Sequence, residues 1–179
     1  LIAQMKSLDH ISLYDLADWD DPSIPEVAKK FRKALGSFAT GVTVVTSLSP
    51  KGVPTGLTVN SFSSLSIDPP LILWCLTEES GLVNHFRPGQ KFNVNFLSSD
   101  QENLALKFAQ PGEDRFKGIP NHPDRNAVPL LEGCSGILNC VVEHNYPGGD
   151  HVIIVGRVLR FREEKKPPLL FHKGHFKTF

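Results

Sequence analysis

Seven extended runs, rich in β-branched and aromatic residues, crowd this chain of 179 residues and leave little room for helices between them. They are Gly41 to Ser47, Val53 to Asn60, Leu71 to Leu76, Lys91 to Leu97, Cys134 to Glu143, His151 to Arg162, and a last piece from Leu169 to Phe171 with Phe176. Parallel strands need a crossover of a dozen or more residues, usually a helix, between each pair. These spacings instead predict a mainly β protein, a closed antiparallel β-barrel with short helices, rather than a doubly wound parallel sheet.

The connections refine that expectation. Ser49-Pro50-Lys51-Gly52 reads as a hairpin turn, and Leu71 to Leu76, nearly all apolar, reads as a strand buried on both faces. Ser23-Ile24-Pro25-Glu26 and Ser99-Asp100-Gln101-Glu102 both have the form of a capping box, the first opening a helix through Phe31 and Phe38, the second one through Leu104 and Phe108. Ser80 to Phe86 suits a further short helix. Ala109 to Pro129, rich in Gly, Pro, Asn and Asp, is too long for a passive connection and is expected to be a lid or a site wall. With no repeat or linker inside it, residues 23–179 are read as one domain, preceded by an N-terminal arm of residues 1–22.

Lys plus Arg and Asp plus Glu both number 19, so charge gives no reason to expect nucleic acid or an anionic membrane as partner. Cys75, Cys134 and Cys140 are an odd number without zinc spacing, as expected of reduced thiols in a cytoplasmic protein. No apolar run reaches the roughly 20 residues a membrane helix needs, and the first residues lack the order of a signal peptide.

Several chemistries are disfavoured by missing motifs. There is no GxGxxG after a strand, no GxxxxGK[ST], no HExxH or paired Cys and His set, and no GxSxG elbow. A metal site is not expected. What remains is a row of polar side chains, Thr58-Val59-Asn60-Ser61-Phe62-Ser63-Ser64, followed by Asp68-Pro69-Pro70. Thr58 and Asn60 share one face of their strand, and Ser61, Ser63 and Ser64 fall in the turn after it. Such residues either satisfy the turn's own backbone or present donors to a polar ligand. His151, where Gly149-Asp150 leads into an apolar strand, is the second candidate.

Taken in order, these segments resemble the short-chain flavin reductases, the NAD(P)H:flavin oxidoreductase components of two-component flavin monooxygenases. The resemblance covers about residues 30–176. It rests on Phe31-Arg32, Ala39 to Thr46, Thr58 to Ser64, Asp68-Pro69-Pro70, Phe92 to Leu97, Phe108-Ala109, Asp114-Arg115-Phe116, Gly149-Asp150-His151 and His172-Lys173-Gly174.

The resemblance implies a split-barrel, Greek-key flavin-binding fold, a homodimer, and FMN or FAD at the subunit interface with NADH or NADPH as hydride donor. It assigns Thr58, Val59, Asn60, Ser61, Ser63 and Ser64 to the flavin ring edge, ribityl chain and phosphate. It gives Cys75, Leu76 and Thr77 to the ring, and Ser80 to the phosphate. Arg115 and Phe116 join the cofactor site. Asp150 and His151 go to the nicotinamide, with His151 as the catalytic residue, and His172 and Gly174 help hold the dinucleotide. An oxygenase component is the implied recipient of reduced flavin. The alternatives are a flavoprotein electron carrier and a reductase of a bound substrate such as a corrinoid. Three features depart from the pattern: Gly81 and Leu82 stand where similar proteins often carry Arg and Thr, Phe176 replaces a Tyr, and the acidic arm matches nothing in the family.

Overall fold

The structure, a computed structural model, describes residues 20–21, 23–112 and 115–178. The chain divides into two compact units, Leu1–Phe38 and Ala39–Phe179. Apart from Asp20 and Asp21, the expected N-terminal arm lies outside the described residues. The first unit holds one turn of 3-10 helix, Pro25–Val27, and helix α1, Ala28–Leu35. The expected capping box does not form here, because Asp21 rather than Glu26 takes the Ser23 amide, at 2.9 Å. The α1 side chains Phe31 and Leu35, and Phe38 beyond them, are exposed.

The second unit is mainly β. Strands β2 (Thr43–Leu48), β3 (Pro54–Val59), β4 (Ser63–Ser66), β5 (Leu71–Thr77), β6 (Lys91–Phe96), β9 (Gly136–Gly148) and β10 (His151–Glu163) form one antiparallel sheet in the order β3-β2-β6-β9-β10-β5-β4. Strand β1 (Thr40–Gly41) pairs with β11 (Leu170–His172), which pairs with β12 (His175–Lys177); β7 (Asn121–Pro123) pairs with β8 (Pro129–Leu131). The two edge strands of the large sheet, β3 and β4, are joined by residues 60–62 alone, a path no longer than about 14 Å. The sheet must therefore curl until its edges nearly meet. It does not close: β3 and β4 share no ladder, which corrects the expected closed barrel.

Curling separates two cores. Inside lie Val45, Val59, Trp74, Phe86, Phe92 and Ile154, with Trp74 edge-on to Phe86 at 4.8 Å between ring centroids. On the outer face Val44, Leu97, Phe108, Leu131, Ile137 and Leu169 pack beneath helix α2 (Glu102–Ala109). The strand buried on both faces is β2, whose Thr43 to Ser47 are all buried, and not β5, whose alternate residues are partly open. Strand β5 lies next to the short edge strand β4, so one of its faces stays accessible. The segment after β5 makes only one 3-10 turn, Val83–His85, in place of the expected helix from Ser80. Helix α2 forms as expected but without its capping box: Gln101 Oε1 accepts from Ser98 N at 3.0 Å, and Ser98 Oγ donates to Asp100. No helix among the described residues is long and apolar enough to cross a membrane.

The residues leading into and along β8, Asp124 to Leu131, are pinned to the sheet. One oxygen of Asp124 accepts from Asn93 Nδ2 (3.1 Å) and Asn139 Nδ2 (2.6 Å), the other from the amides of Asn126 (2.6 Å) and Val128 (3.0 Å). Asn95, fully buried, accepts from Leu131 N at 3.0 Å, and Thr46 donates to Pro129 O at 2.6 Å. Buried amides of this kind specify a single docking of the loop, since any other would leave them unpaired.

Candidate active site

The polar row splits into members spent on structure and members left free. Thr58 donates to Ala105 O in α2 at 2.6 Å. Val59 is buried in the inner core. Ser61 Oγ accepts from Cys75 N at 2.9 Å and donates to Cys75 O at 3.3 Å, so one hydroxyl bridges the gap between the sheet's two edges. Ser63 donates to Ser64 O at 3.0 Å, and Ser80 accepts from Leu82 N at 3.2 Å. Asn60, Ser64 and Thr77 are exposed, and their side chains make no hydrogen bond among the described residues. Ser63 and Ser64 belong to β4 and not to a turn.

Backbone donors add to these. Strand β4 pairs with β5 only as far as Leu73, while β10 pairs along the whole of it to Thr77. Trp74 to Thr77 thus have one side without a strand partner. Amides alternate in direction along an antiparallel strand; Cys75 N points to Ser61, so the Thr77 amide points to the same open side. Burial raises the Cys75 thiol above its ordinary pKa, with Ser61 acting in the opposite direction.

Strand register brings His151 to this edge, directly opposite Thr77, with Val152 opposite Leu76 and Ile153 opposite Cys75. The tight turn Gly149-Asp150 makes this possible: Gly149 takes φ 75°, a conformation costly for any residue with a Cβ. Glu78 N donates to Asp150 O at 3.0 Å, tying the turn to the end of β5. His151 Nδ1 lies 2.6 Å from Asp150 Oδ1, with the imidazole 38% exposed and the carboxylate 92%. The Asp engages Nδ1, and Nε2 makes no hydrogen bond among the described residues.

Other expected residues sit apart. Arg115 donates to Gly56 O on β3 at 2.5 Å, and Phe116 meets Phe108 edge-on at 5.1 Å, both in the layer over the outer face of β3. Gly56 allows α2 this close, since a Cβ there would lie 2.8 Å from Phe108. His172 ends β11, half-buried opposite His175, and Gly174 lies in the turn that follows; Phe176 packs on Phe171 at 5.4 Å. A cavity of about 250 Å³, lined by Phe62, Gly41, Thr43, Phe96 and Leu169, runs from the polar row toward this hairpin. Sequence reasoning gave no role to Phe62 as a wall of that cavity or to Glu78 as the brace of the Asp150 turn, because both depend on contacts between distant strands. Among the described residues no group of three His, Cys, Asp or Glu side chains could hold a metal ion.

Residues 35–179 match the flavin reductase like domain. The chain belongs to this family. It is 40% identical over 154 residues to an Agrobacterium fabrum protein named FMN reductase (NADH), covering 86% of this chain and 87% of that one. It is 35% identical to the reductase subunit of a Mycobacterium tuberculosis flavin-dependent monooxygenase, covering 83% of this chain and 80% of the other. Some curated relatives are longer, and of one from Rhizobium meliloti the match covers 48%. Among solved structures, a Streptomyces globisporus NADH:FAD oxidoreductase in complex with NAD and FAD fragments superposes with a TM-score of 0.82 at 32% identity, covering 91% of this chain and 97% of that one.

Proposed function

We propose that this chain is a flavin reductase that uses NADH or NADPH to reduce FMN or FAD and hands the reduced flavin to a monooxygenase component. The observation that carries the reading is one sheet edge that bears the unspent donors Asn60, Ser64, Thr77 and the Thr77 amide and ends at the Asp150–His151 pair, in a chain of this family. Relatives named for NADH, FMN and FAD support that choice of ligands, and relatives named as monooxygenase subunits support the partner.

The donor set fits a flavin, whose ring edge and ribityl chain are rich in acceptors. When bound, the flavin supplies the redox chemistry, taking a hydride from the dihydronicotinamide. The protein's part is binding and orientation. Asn60, Ser64 and the Thr77 amide donate to the flavin's acceptors, and fixed donors of this kind favour negative charge developing on reduction. Ser61 keeps the strand edge in place. His151, held by Asp150, orients the nicotinamide through Nε2, and no strong general base is needed.

We read the protein as a cytoplasmic homodimer. In the second unit Ile67, at 91% exposure, and in the first unit, separately, Phe31, Leu35 and Phe38 are apolar side chains that a second copy would cover.

Steady-state oxidation of NADH and NADPH, measured with added FMN, FAD or riboflavin, tests the reading. Flavin-dependent turnover is expected. Tight flavin binding without turnover would point to an electron carrier.

A further inference from the structure

From the far end of β10 we infer a second small-molecule site, one that takes an aromatic carboxylate. The inference does not rest on the flavin reading. Arg160 lies nine residues along β10 from His151, roughly 30 Å of extended chain. There a cavity of about 580 Å³ opens on the outer face of the sheet, within the range of roughly 300–1,000 Å³ usual for ligand sites.

The chemistry of the lining selects the ligand. Its apolar part is Leu130, Ile137 and Leu159, while Phe161 borders it from the strand edge, paired opposite Leu138 of the inner face. Its cations are Arg125, Arg160 and Arg162. Arg162 is paired with Glu164 at 3.0 Å, but Arg125 and Arg160 make no side-chain hydrogen bond or ion pair among the described residues. The lining's one carboxylate, Asp124, already accepts from Asn93, Asn139 and two backbone amides, so it cannot serve as counter-ion to the guanidiniums without giving up those bonds. The same bonds keep the wall in place before any ligand arrives. A flat apolar ring meets Leu130, Ile137 and Leu159, and a carboxylate meets free guanidinium, the geometry for which Arg is best suited. A polyphosphate would leave the apolar lining uncovered. A two-fold contact centred on the cavity would set its arginines against a second set of arginines.

The test is calorimetric titration of the protein, with flavin added and without it, using 2-naphthoate and its neutral analogue 2-naphthylmethanol. The acid is expected to bind at least about tenfold more tightly than the alcohol, without displacing flavin. Arg160→Gln is expected to erase that preference, and Leu159→Ser to weaken both ligands, while each variant keeps its flavin affinity. Failure of the acid to bind, equal binding of acid and alcohol, or competition with flavin would overturn the site. So would a Leu159→Asp variant that sediments as a monomer where the parent is a dimer, since a second copy would then occupy this face.

Discussion

One hydroxyl holds both main-chain polar groups of another residue: Ser61 Oγ accepts the Cys75 N–H at 2.9 Å and donates to the Cys75 carbonyl at 3.3 Å. This contact crosses the seam where the sheet's edges approach without a ladder, and it stiffens the strand end beside His151. Removing it should cost about 1 kcal/mol. Ser61→Ala is therefore expected to unfold at lower urea, whereas Asn60→Ala, which removes no hydrogen bond within the described residues, should stay within about 0.5 kcal/mol of the parent. Flavin affinity, read by quenching of flavin fluorescence, should fall in Asn60→Ala. Equal loss of stability in both variants would refute the division of the row into structural and free members.

His151→Ala is expected to raise the KM for the dinucleotide and lower kcat, with flavin binding little changed. Asp150→Asn should shift the same two parameters in the same direction by less, because it keeps a hydrogen-bonding group 2.6 Å from the imidazole but removes the charge. Unaltered NADH kinetics in His151→Ala would remove this residue from the site.

Asp124→Ala should destabilise the protein by about 3 kcal/mol or more. It deletes a charged acceptor of four hydrogen bonds, leaving Asn93 Nδ2 only the longer bonds to Val128 O and Pro129 O at 3.3 Å, Asn139 Nδ2 only Asn93 Oδ1, and two loop amides without their partner. Urea denaturation measures this, and a loss under about 1 kcal/mol would mean the loop is not held by the carboxylate.

Desolvation pushes Cys134 up to about 11 and Cys140 up to about 12. Both thiols stay protonated in the fold at a pH where the unfolded chain, with thiols near 8.5, has lost its protons. The folded state then binds more protons, so stability is fully present below about pH 8.5 and falls above it. Each thiol contributes up to about 1.4 kcal/mol per pH unit until its folded pKa is reached. Denaturation midpoints between pH 8 and about 11 should fall less steeply in a Cys134→Ala, Cys140→Ala double variant. Identical slopes in parent and variant would contradict this origin.

Much of the fold was legible because period-two patterns and turn residues are local. The β2–β3 hairpin, β6, β10 and α2 lie where alternation, the Ser49 to Gly52 turn and the Ser99 to Glu102 segment put them, while β9 runs on to Gly148, past its expected end at Glu143. What was not legible depended on tertiary partners. Both capping boxes are absent because other acceptors take the contested amides: Asp21 takes that of Ser23, and Pro167 O takes that of Ser99 at 2.9 Å. The burial of β5 was misread because composition cannot tell a central strand from one lying beside a short edge strand. In the site, the residues of the row were evident, but nothing in the sequence separates Ser61, which binds a strand 14 residues away, from Asn60, which binds nothing described.

The central claim is hydride transfer from nicotinamide to flavin, and anaerobic rapid mixing tests it most directly. Purified protein with FMN or FAD is mixed with NADH, or with NADH carrying deuterium on one face of C4, and the flavin's visible absorption is followed. The account predicts rapid bleaching, slowed by deuterium on one face and not the other. Flavin that stays oxidised with both NADH and NADPH would contradict it.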